Sequence, residues 1–166
     1  IRDRGDGDQL VFVTSDAQLL RYDANLVRPQ GPGAAGMAGI RVQEGARVIH
    51  FAVVPGAIIE EAVVATVTEP PADEALFGDA AATAKLSEFT QFPAKGRATG
   101  GVRAHKFVRG ETSLATAWVG AGPALGNAKN GSIRHLPEQL ARRDASGVQL
   151  EAPVDQLGGA MGESSN

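Results

Sequence analysis

The amino-acid sequence predicts an all-β chain of about three four-stranded, propeller-like blades, and three observations carry this. The chain repeats itself without a gap. "GPGAAGMAGIRVQEGARVIHFAVV", from Gly31, lies over "GRATGGVRAHKFVRGETSLATAWV", from Gly96, so that Gly31, Gly36 and Gly45 fall on Gly96, Gly101 and Gly110. In the same register Arg41 falls on Lys106, Val42 on Phe107, Ile49 on Leu114, Ala52 on Ala117 and Val54 on Val119; a weaker third copy, "ARRDASGVQL", repeats Gly101-Val102 as Gly147-Val148. Apolar runs of strand length recur while helical periodicity is scarce. Finally, 21 glycines and 9 prolines spread over 166 residues mark many turns. Units of roughly 45 to 65 residues that each expose an apolar face must stack to cover it, which is the logic of propellers and other repeat folds.

The elements follow in order. "QLVFVT" is a β-rich run, Ser15-Asp16-Ala17 a tight turn, and "QLLRY" its return strand. "RVIHFAVV", "EAVVATVT" and "SLATAWVG" are strands of the same kind. "PPADEALFGD", residues 70–79, reads as a surface insertion in the second unit. Residues 137–142, with proline at the start, form the best helical candidate, one or two turns long. Each glycine loop has a similar approach, "QLLRYDANLVRPQ", "TAKLSEFTQFPAK" and "GSIRHLPEQLA", carrying one base upstream of the loop: Arg21, Lys85 and Arg134. The expected blades are 9–57, 58–109 and 110–157, one domain over 9–157, followed by a flexible small-residue tail at 158–166. The opening "IRDRGDGDQ", without Met, reads as a fragment or an expressed domain.

Several chemistries are excluded. With no cysteine there is no disulfide or thiolate metal site, a usage that fits a reducing compartment. "GPGAAG" satisfies G-x-G-x-x-G, but the strand-like "GIRVQEG" follows where a dinucleotide site needs a helix; "GRATGG" lacks the Lys-Ser/Thr of a phosphate loop. His50, His105 and His135 show no ligand spacing, and His50, inside an apolar strand, reads as a satisfied core or rim residue. No nucleophile elbow occurs, Glu60, Glu61 and Glu88 read as solvated acids, Tyr22 has no evident activator, and Trp118 reads as inter-blade core. No catalytic residue, metal or cofactor is expected, and no apolar run is long enough to cross a membrane.

Charge is informative in its placement. The formal net charge is −3, yet residues 58–84 hold six acids and no Lys or Arg, while residues 85–109 hold six bases and one acid. Lys95, Arg97, Arg103, Lys106 and Arg109 surround the second loop; Arg28 and Arg41 accompany the first, and Arg142 and Arg143 the third. Alternation along a strand sends Arg103 and His105 one way and Lys106 the other. Glycine turns expose backbone N–H groups and the flanking bases supply charge, a combination suited to phosphate oxygens. Stacked blades would place equivalent loops on one rim as an intermittent basic track for duplex DNA, read through its backbone. The glycines at 31, 36, 45, 101 and 147 are expected to serve only the tight turns.

"VRPQGPGAAGMAGIRVQEGARV", "FPAKGRATGGVRAHKF" and "SIRHLPEQLARRDASGVQL" resemble successive blades of the C-terminal domain of the DNA gyrase A subunit and its topoisomerase IV counterpart, over about residues 9–157. The resemblance implies a β-pinwheel, a propeller-like ring whose blades exchange strands and whose basic rim bends duplex DNA. It implies a non-catalytic, cytoplasmic and nucleoid-associated domain, whose partners are DNA, the catalytic core of the same A subunit and the ATPase B subunit. Arg97 takes the arginine position of the family loop, Lys95, Arg103 and Lys106 flank it, and Arg28, Arg41, Arg134, Arg142 and Arg143 fall in equivalent regions. No loop carries the full glutamine-arginine-arginine-glycine-glycine-lysine-glycine box of gyrase: Pro32 replaces the arginine in the first loop, and Arg142 the opening glycine in the third. These departures point to the topoisomerase IV type. About three units is fewer than the usual ring of five or six, which fits a piece of a longer domain or a short open version. The degenerate loops and net acidity also admit a protein-interaction propeller that docks the core or a chromosome-organising partner.

Overall fold

The computed structural model describes residues 7–72, 81–108 and 110–160. The described residues form eleven strands in three antiparallel sheets. The first unit contributes β1 (Gln9–Thr14), β2 (Gln18–Asp23) and β3 (Val48–Val54). β4 (Ala62–Thr68), β5 (Thr83–Glu88), β6 (Val102–Arg103) and β7 (Leu114–Ala121) follow, then β8 (Ala124–Asn127), β9 (Ile133–Arg134), β10 (Val148–Gln149) and β11 (Gln156–Gly159). Sheet I runs β3-β1-β2-β6, sheet II β7-β4-β5-β10, and sheet III β11-β8-β9. The fold is therefore all-β, built from repeated four-stranded sheets of which the third has three strands. The fourth strand of sheets I and II is donated by the following unit. The contiguous spans 58–109 and 110–157 thus each supply strands to more than one sheet.

The two complete sheets use the same local devices. β1 and β4 each break register with their outer neighbour at a threonine, Thr14 and Thr68. Each threonine hydroxyl accepts from the first backbone N–H of the return strand, Gln18 at 3.2 Å and Thr83 at 2.9 Å. A polar β-branched residue at this corner satisfies a donor that the irregular ladder would otherwise strand.

The ladders correct the gap-free repeat in one place. Thr14 faces Val48 as Thr68 faces Leu114, and Leu10 faces Val53 as Val64 faces Val119. Val48, not Ile49, is therefore the counterpart of Leu114, and Val53, not Val54, that of Val119. The second unit has one extra residue between Gly110 and Ser113, and a one-residue slip in a strand exchanges its two faces.

Two apolar clusters cement the stack. Val11, Val13, Leu19 and Val54 of sheet I meet Val64, Leu114, Ala117 and Val119 of sheet II, with Phe89, Phe92 and Ala104 in the same cluster. Fully buried valines such as Val11 and Val13 each contribute about 2 kcal/mol. Val67 and Ala84 of sheet II meet Leu150, Val154, Leu136 and Leu157. Trp118 does fill an inter-sheet space: it abuts Gly159 of β11, where an added Cβ would lie 2.5 Å from the indole. His50 is satisfied as expected, its Nε2 accepting from the Val119 N–H of sheet II at 3.1 Å, and burial lowers its pKa.

Residues 137–142 form no helix; Leu140 instead bridges Leu86 of β5, and the Ala141 N–H donates to the Leu86 carbonyl at 2.8 Å. The proline that could open a helix here opens an extended segment because this loop must lie along sheet II. The insertion expected at 70–79 falls mostly outside the described residues.

Candidate nucleic-acid interface

The glycine loops dock one on the next through bonds that recur. Loop 2 hangs on the first unit by the Lys95 N–H to the Arg21 carbonyl (2.9 Å) and the Ala104 N–H to the Ala17 carbonyl (2.8 Å). Loop 3 repeats both on the second unit, Ala141 to Leu86 (2.8 Å) and Leu150 to Ala82 (2.9 Å). Between loops, the Arg41 N–H donates to the Thr99 carbonyl and the Lys106 N–H to the Ala145 carbonyl, each at 3.0 Å. The match of Arg41 with Lys106 read from the sequence is thus a match of hydrogen bonds. Loops 1, 2 and 3 form a connected series.

The loop arginines act as clasps. Arg97 Nη1 donates to the Ala38 carbonyl at 2.5 Å, and Arg143 Nη1 to the Arg103 carbonyl at 3.1 Å. Ala38 and Arg103 occupy the same place in successive copies, so each guanidinium grips the backbone of the loop before it. Removing this grip in Arg97→Ala is expected to cost about 1 kcal/mol, read as a fall in urea midpoint. Lys106→Ala, an exposed position whose backbone bond survives, is expected to change stability by less than about 0.5 kcal/mol.

The ten basic residues singled out in the sequence divide accordingly. Arg41 and Lys95 are exposed and line one open cleft of about 450 Å³ between loops 1 and 2, with Thr99, Gly100, Gly101 and the acid Asp16. Arg103, Lys106 and Arg142 are exposed around loops 2 and 3, where Arg142 Nε lies 3.5 Å from Asp144. Arg97 and Arg143 are half-buried clasps. Arg28 is exposed beyond the short 3-10 turn Ala24–Leu26, and Arg134 sits on β9 with Nε donating to the Pro153 carbonyl at 3.0 Å. Arg109 lies outside the described residues.

The bases upstream of the loops are not free cations. Arg21 stacks over the Phe89 ring at 4.7 Å, and burial lowers its pKa. Lys85 is 2% exposed, and Nζ donates to the carbonyls of Arg142 (3.0 Å) and Arg143, fastening loop 3 to sheet II. Burial lowers its pKa to about 8, against the raising effect of Asp144. Sequence reasoning read Lys85 as one base of a basic segment; in β5, "TAKLSE", it shares the polar register of Thr83 and Ser87, so local alternation gave no signal of its burial.

A buried polar network beneath loop 2 was also missed. Glu111 accepts from Thr83 Oγ1 (2.6 Å), Thr68 Oγ1 (3.2 Å) and the Val108 N–H (2.9 Å). With its proton given to Glu111, the Thr83 hydroxyl can only accept from His105 Nε2–H (3.2 Å). Because its depressed pKa keeps the imidazole neutral, His105 Nδ1 then accepts from Thr66 Oγ1 at 2.9 Å, giving the Nε2–H tautomer. Burial first, and the Lys85 charge second, depress the His105 pKa to about 4. The network ties His105, Glu111 and the Val108 N–H to sheet II, next to the exposed Arg103 and Lys106.

Gly101 and Gly147 are not turn residues, contrary to the sequence reading. Neither has a positive φ; both lie where a donated strand crosses the preceding unit. A Cβ on Gly101 would lie 2.4 Å from the Leu19 carbonyl carbon, and one on Gly147 2.7 Å from Thr83 Oγ1. Gly36 and Gly45 do adopt positive φ, 84° and 80°.

A family model described as the DNA gyrase C-terminal domain, beta-propeller, matches residues 8–55 and 81–107. The topoisomerase subunit TopoM of Mycolicibacterium smegmatis (strain ATCC 700084 / mc(2)155) is 31% identical over 112 residues, 68% of this chain and 14% of that protein. The crystal structure of the C-terminal domain of DNA topoisomerase IV superposes with a TM-score of 0.68 at 17% identity, covering 92% of this chain and 46% of that one. The E. coli ParC C-terminal domain gives 0.65 at 15% identity, covering 93% and 61%, and a DNA gyrase A C-terminal domain 0.61 at 17%, covering 89% and 45%. This chain therefore spans 45 to 61% of these solved domains and a small part of TopoM. Residues 8–55 and 81–107 thus match the DNA gyrase C-terminal domain family, and the recurring glycine loops and sheets completed by the next unit's strand give the chain that family's β-propeller fold.

Proposed function

We propose that this chain is a non-catalytic duplex-DNA-binding element of a bacterial type IIA topoisomerase A subunit, of the topoisomerase IV type. In the whole protein it would work with the catalytic core of that subunit and an ATPase B subunit, at the nucleoid in the cytoplasm. The observation that carries the reading is the serial docking of the loops, which sets Arg41, Lys95, Arg103, Lys106 and Arg142 exposed along one connected series. Cations held on rigid backbone neutralise successive phosphates and release counterions without reading bases. The topoisomerase IV type is supported by the incomplete loops and by likeness to a topoisomerase IV C-terminal domain. Such an element would engage a duplex and bias which segment the core passes, without strong wrapping.

Fluorescence anisotropy of a labelled duplex across salt concentrations tests this. Binding is expected to weaken steeply with salt, and Lys95→Ala/Lys106→Ala to reduce the log–log slope by about 2. These positions are preferable to Arg97, whose loss also unclasps loop 1. Undetectable binding at low salt would overturn the reading. One observation favours a protein-docking propeller instead: Arg97 and Arg143 spend a donor on backbone, and Arg142 faces Asp144. That alternative predicts no DNA binding at low salt together with retention of the catalytic core on the immobilised chain.

A further inference from the structure

The cleft between loops 1 and 2 holds an acid that the duplex-binding reading leaves unused. Asp16 lies in the turn between β1 and β2, half-buried, and lines this cleft together with Thr14, Gln18, Arg41 and Lys95. Its Oδ1 accepts from the Thr14 hydroxyl. Thr14 is itself 1% exposed, and its Oγ1 accepts from the Gln18 N–H at 3.2 Å, so the carboxylate is fixed to the corner of sheet I. The second unit has the same device in a different state. Its corner threonine, Thr68, also donates to a carboxylate, that of Glu111, at 3.2 Å. Glu111 takes two further donors, Thr83 Oγ1 and the Val108 N–H, and is only 9% exposed, so its charge is spent inside the protein. Asp16 has no such company. Among the described residues Thr14 is the one donor to its carboxylate, and it has no ion-pair partner. Its charge therefore stands in the same cleft as Arg41 and Lys95 without being spent on either.

We propose, resting on the duplex-binding reading, that Asp16 is a negative determinant of that binding: its carboxylate opposes the phosphate that Arg41 and Lys95 attract, and keeps the grip of this cleft weak and readily released. A site sets its strength by repulsion as well as by attraction. A cleft of about 450 Å³ is about 10 Å across, close to the screening length at about 0.1 M salt, so a phosphate seated there feels the carboxylate only partly screened. One cation of the pair is thereby offset, and the cleft neutralises one phosphate fewer than its bases imply.

Anisotropy of a labelled duplex across salt concentrations, with wild type beside Asp16→Asn, tests this. Asparagine suits the turn and keeps an acceptor for Thr14 Oγ1 while removing the charge. The variant is expected to bind about fivefold more tightly at low salt, with a log–log slope steeper by about 1. Glu61→Gln is the control. It removes the same charge from the 3-10 turn Gly56–Glu61, which follows the far end of the β1–β3 ladder, about a strand length or roughly 20 Å from Asp16, and is expected to leave affinity unchanged. In an Arg41→Ala/Lys95→Ala background, Asp16→Asn is expected to gain nothing, because no phosphate is then drawn into the cleft. Three results would each overturn the inference while leaving the duplex-binding reading in place: Asp16→Asn binding no tighter than a wild type that does bind, Glu61→Gln gaining as much, or the gain persisting without the two cations. No binding by wild type or Asp16→Asn at low salt would overturn both.

Discussion

Gly101→Ala is expected to lower the stability of this chain by about 3 kcal/mol or more, a fall in Tm of about 10 °C. The added Cβ would lie 2.4 Å from both the Leu19 carbonyl carbon and oxygen and 2.8 Å from the Leu19 nitrogen. These are backbone atoms of a central strand, so β2 cannot yield without losing its ladder with β1. β6 must lift off instead, surrendering the Leu19–Val102 pairing and the Ala104 N–H bond to Ala17, and drawing fully buried Ala104 out of the first core cluster. Gly36→Ala is the informative companion. It sits at the same place in the repeat with φ 84° and open space around it, so only backbone strain of about 1 kcal/mol is expected. Equal urea midpoints for the two variants would show that the strand crossing is not what Gly101 serves.

The second large effect is acid sensitivity centred on His105. Its folded pKa of about 4 lies below its ordinary 6.5, so between these values the unfolded chain binds a proton that the folded chain refuses. Stability is complete above about pH 6.5 and falls as the pH drops toward about 4, by about 3 kcal/mol for this one group. The groups facing the imidazole are the Lys85 ammonium, the Glu111 carboxylate and the Thr66 and Thr83 hydroxyls. His50, whose pKa burial also lowers and whose Nε2 must stay unprotonated to accept from Val119, adds loss of the same sign. Urea unfolding of wild type and His105→Gln across this pH window is the check. The variant is expected to be less stable at neutral pH and to have the shallower pH dependence. A variant whose stability falls with pH as steeply as wild type would remove His105 from the account.

Much of the scaffold was legible in the chain. "QLVFVT" and "EAVVATVT" are strands because β-branched and aromatic residues suit a pleated sheet covered by neighbours. The match of Arg41 to Lys106 survived down to single hydrogen bonds because the loops repeat the same docking. The exposed cations Arg41, Lys95, Arg103, Lys106 and Arg142 were all named from the sequence. Lys85 was read as one more base on a basic segment. It is buried because β10 and loop 3, donated from the following unit, close over β5. The loop arginines were read only as surface charge, since the Ala38 carbonyl that Arg97 grips lies 59 residues away.

The sequence by itself therefore determined the repeat, the strands, the loops and where positive charge collects, since each is written in local composition and short spacing. The tertiary structure alone decided which unit completes which sheet, that Gly101 is demanded by a strand crossing, and that Arg97 and Arg143 are clasps. It also decided the third-strand register, in which a single extra residue before Ser113 exchanges the two faces of β7. The physical reason is common to all of them. A donated strand, a guanidinium on a distant carbonyl and a histidine kept neutral are set by what packs against a residue from elsewhere in the chain, and local pattern carries no record of that neighbour.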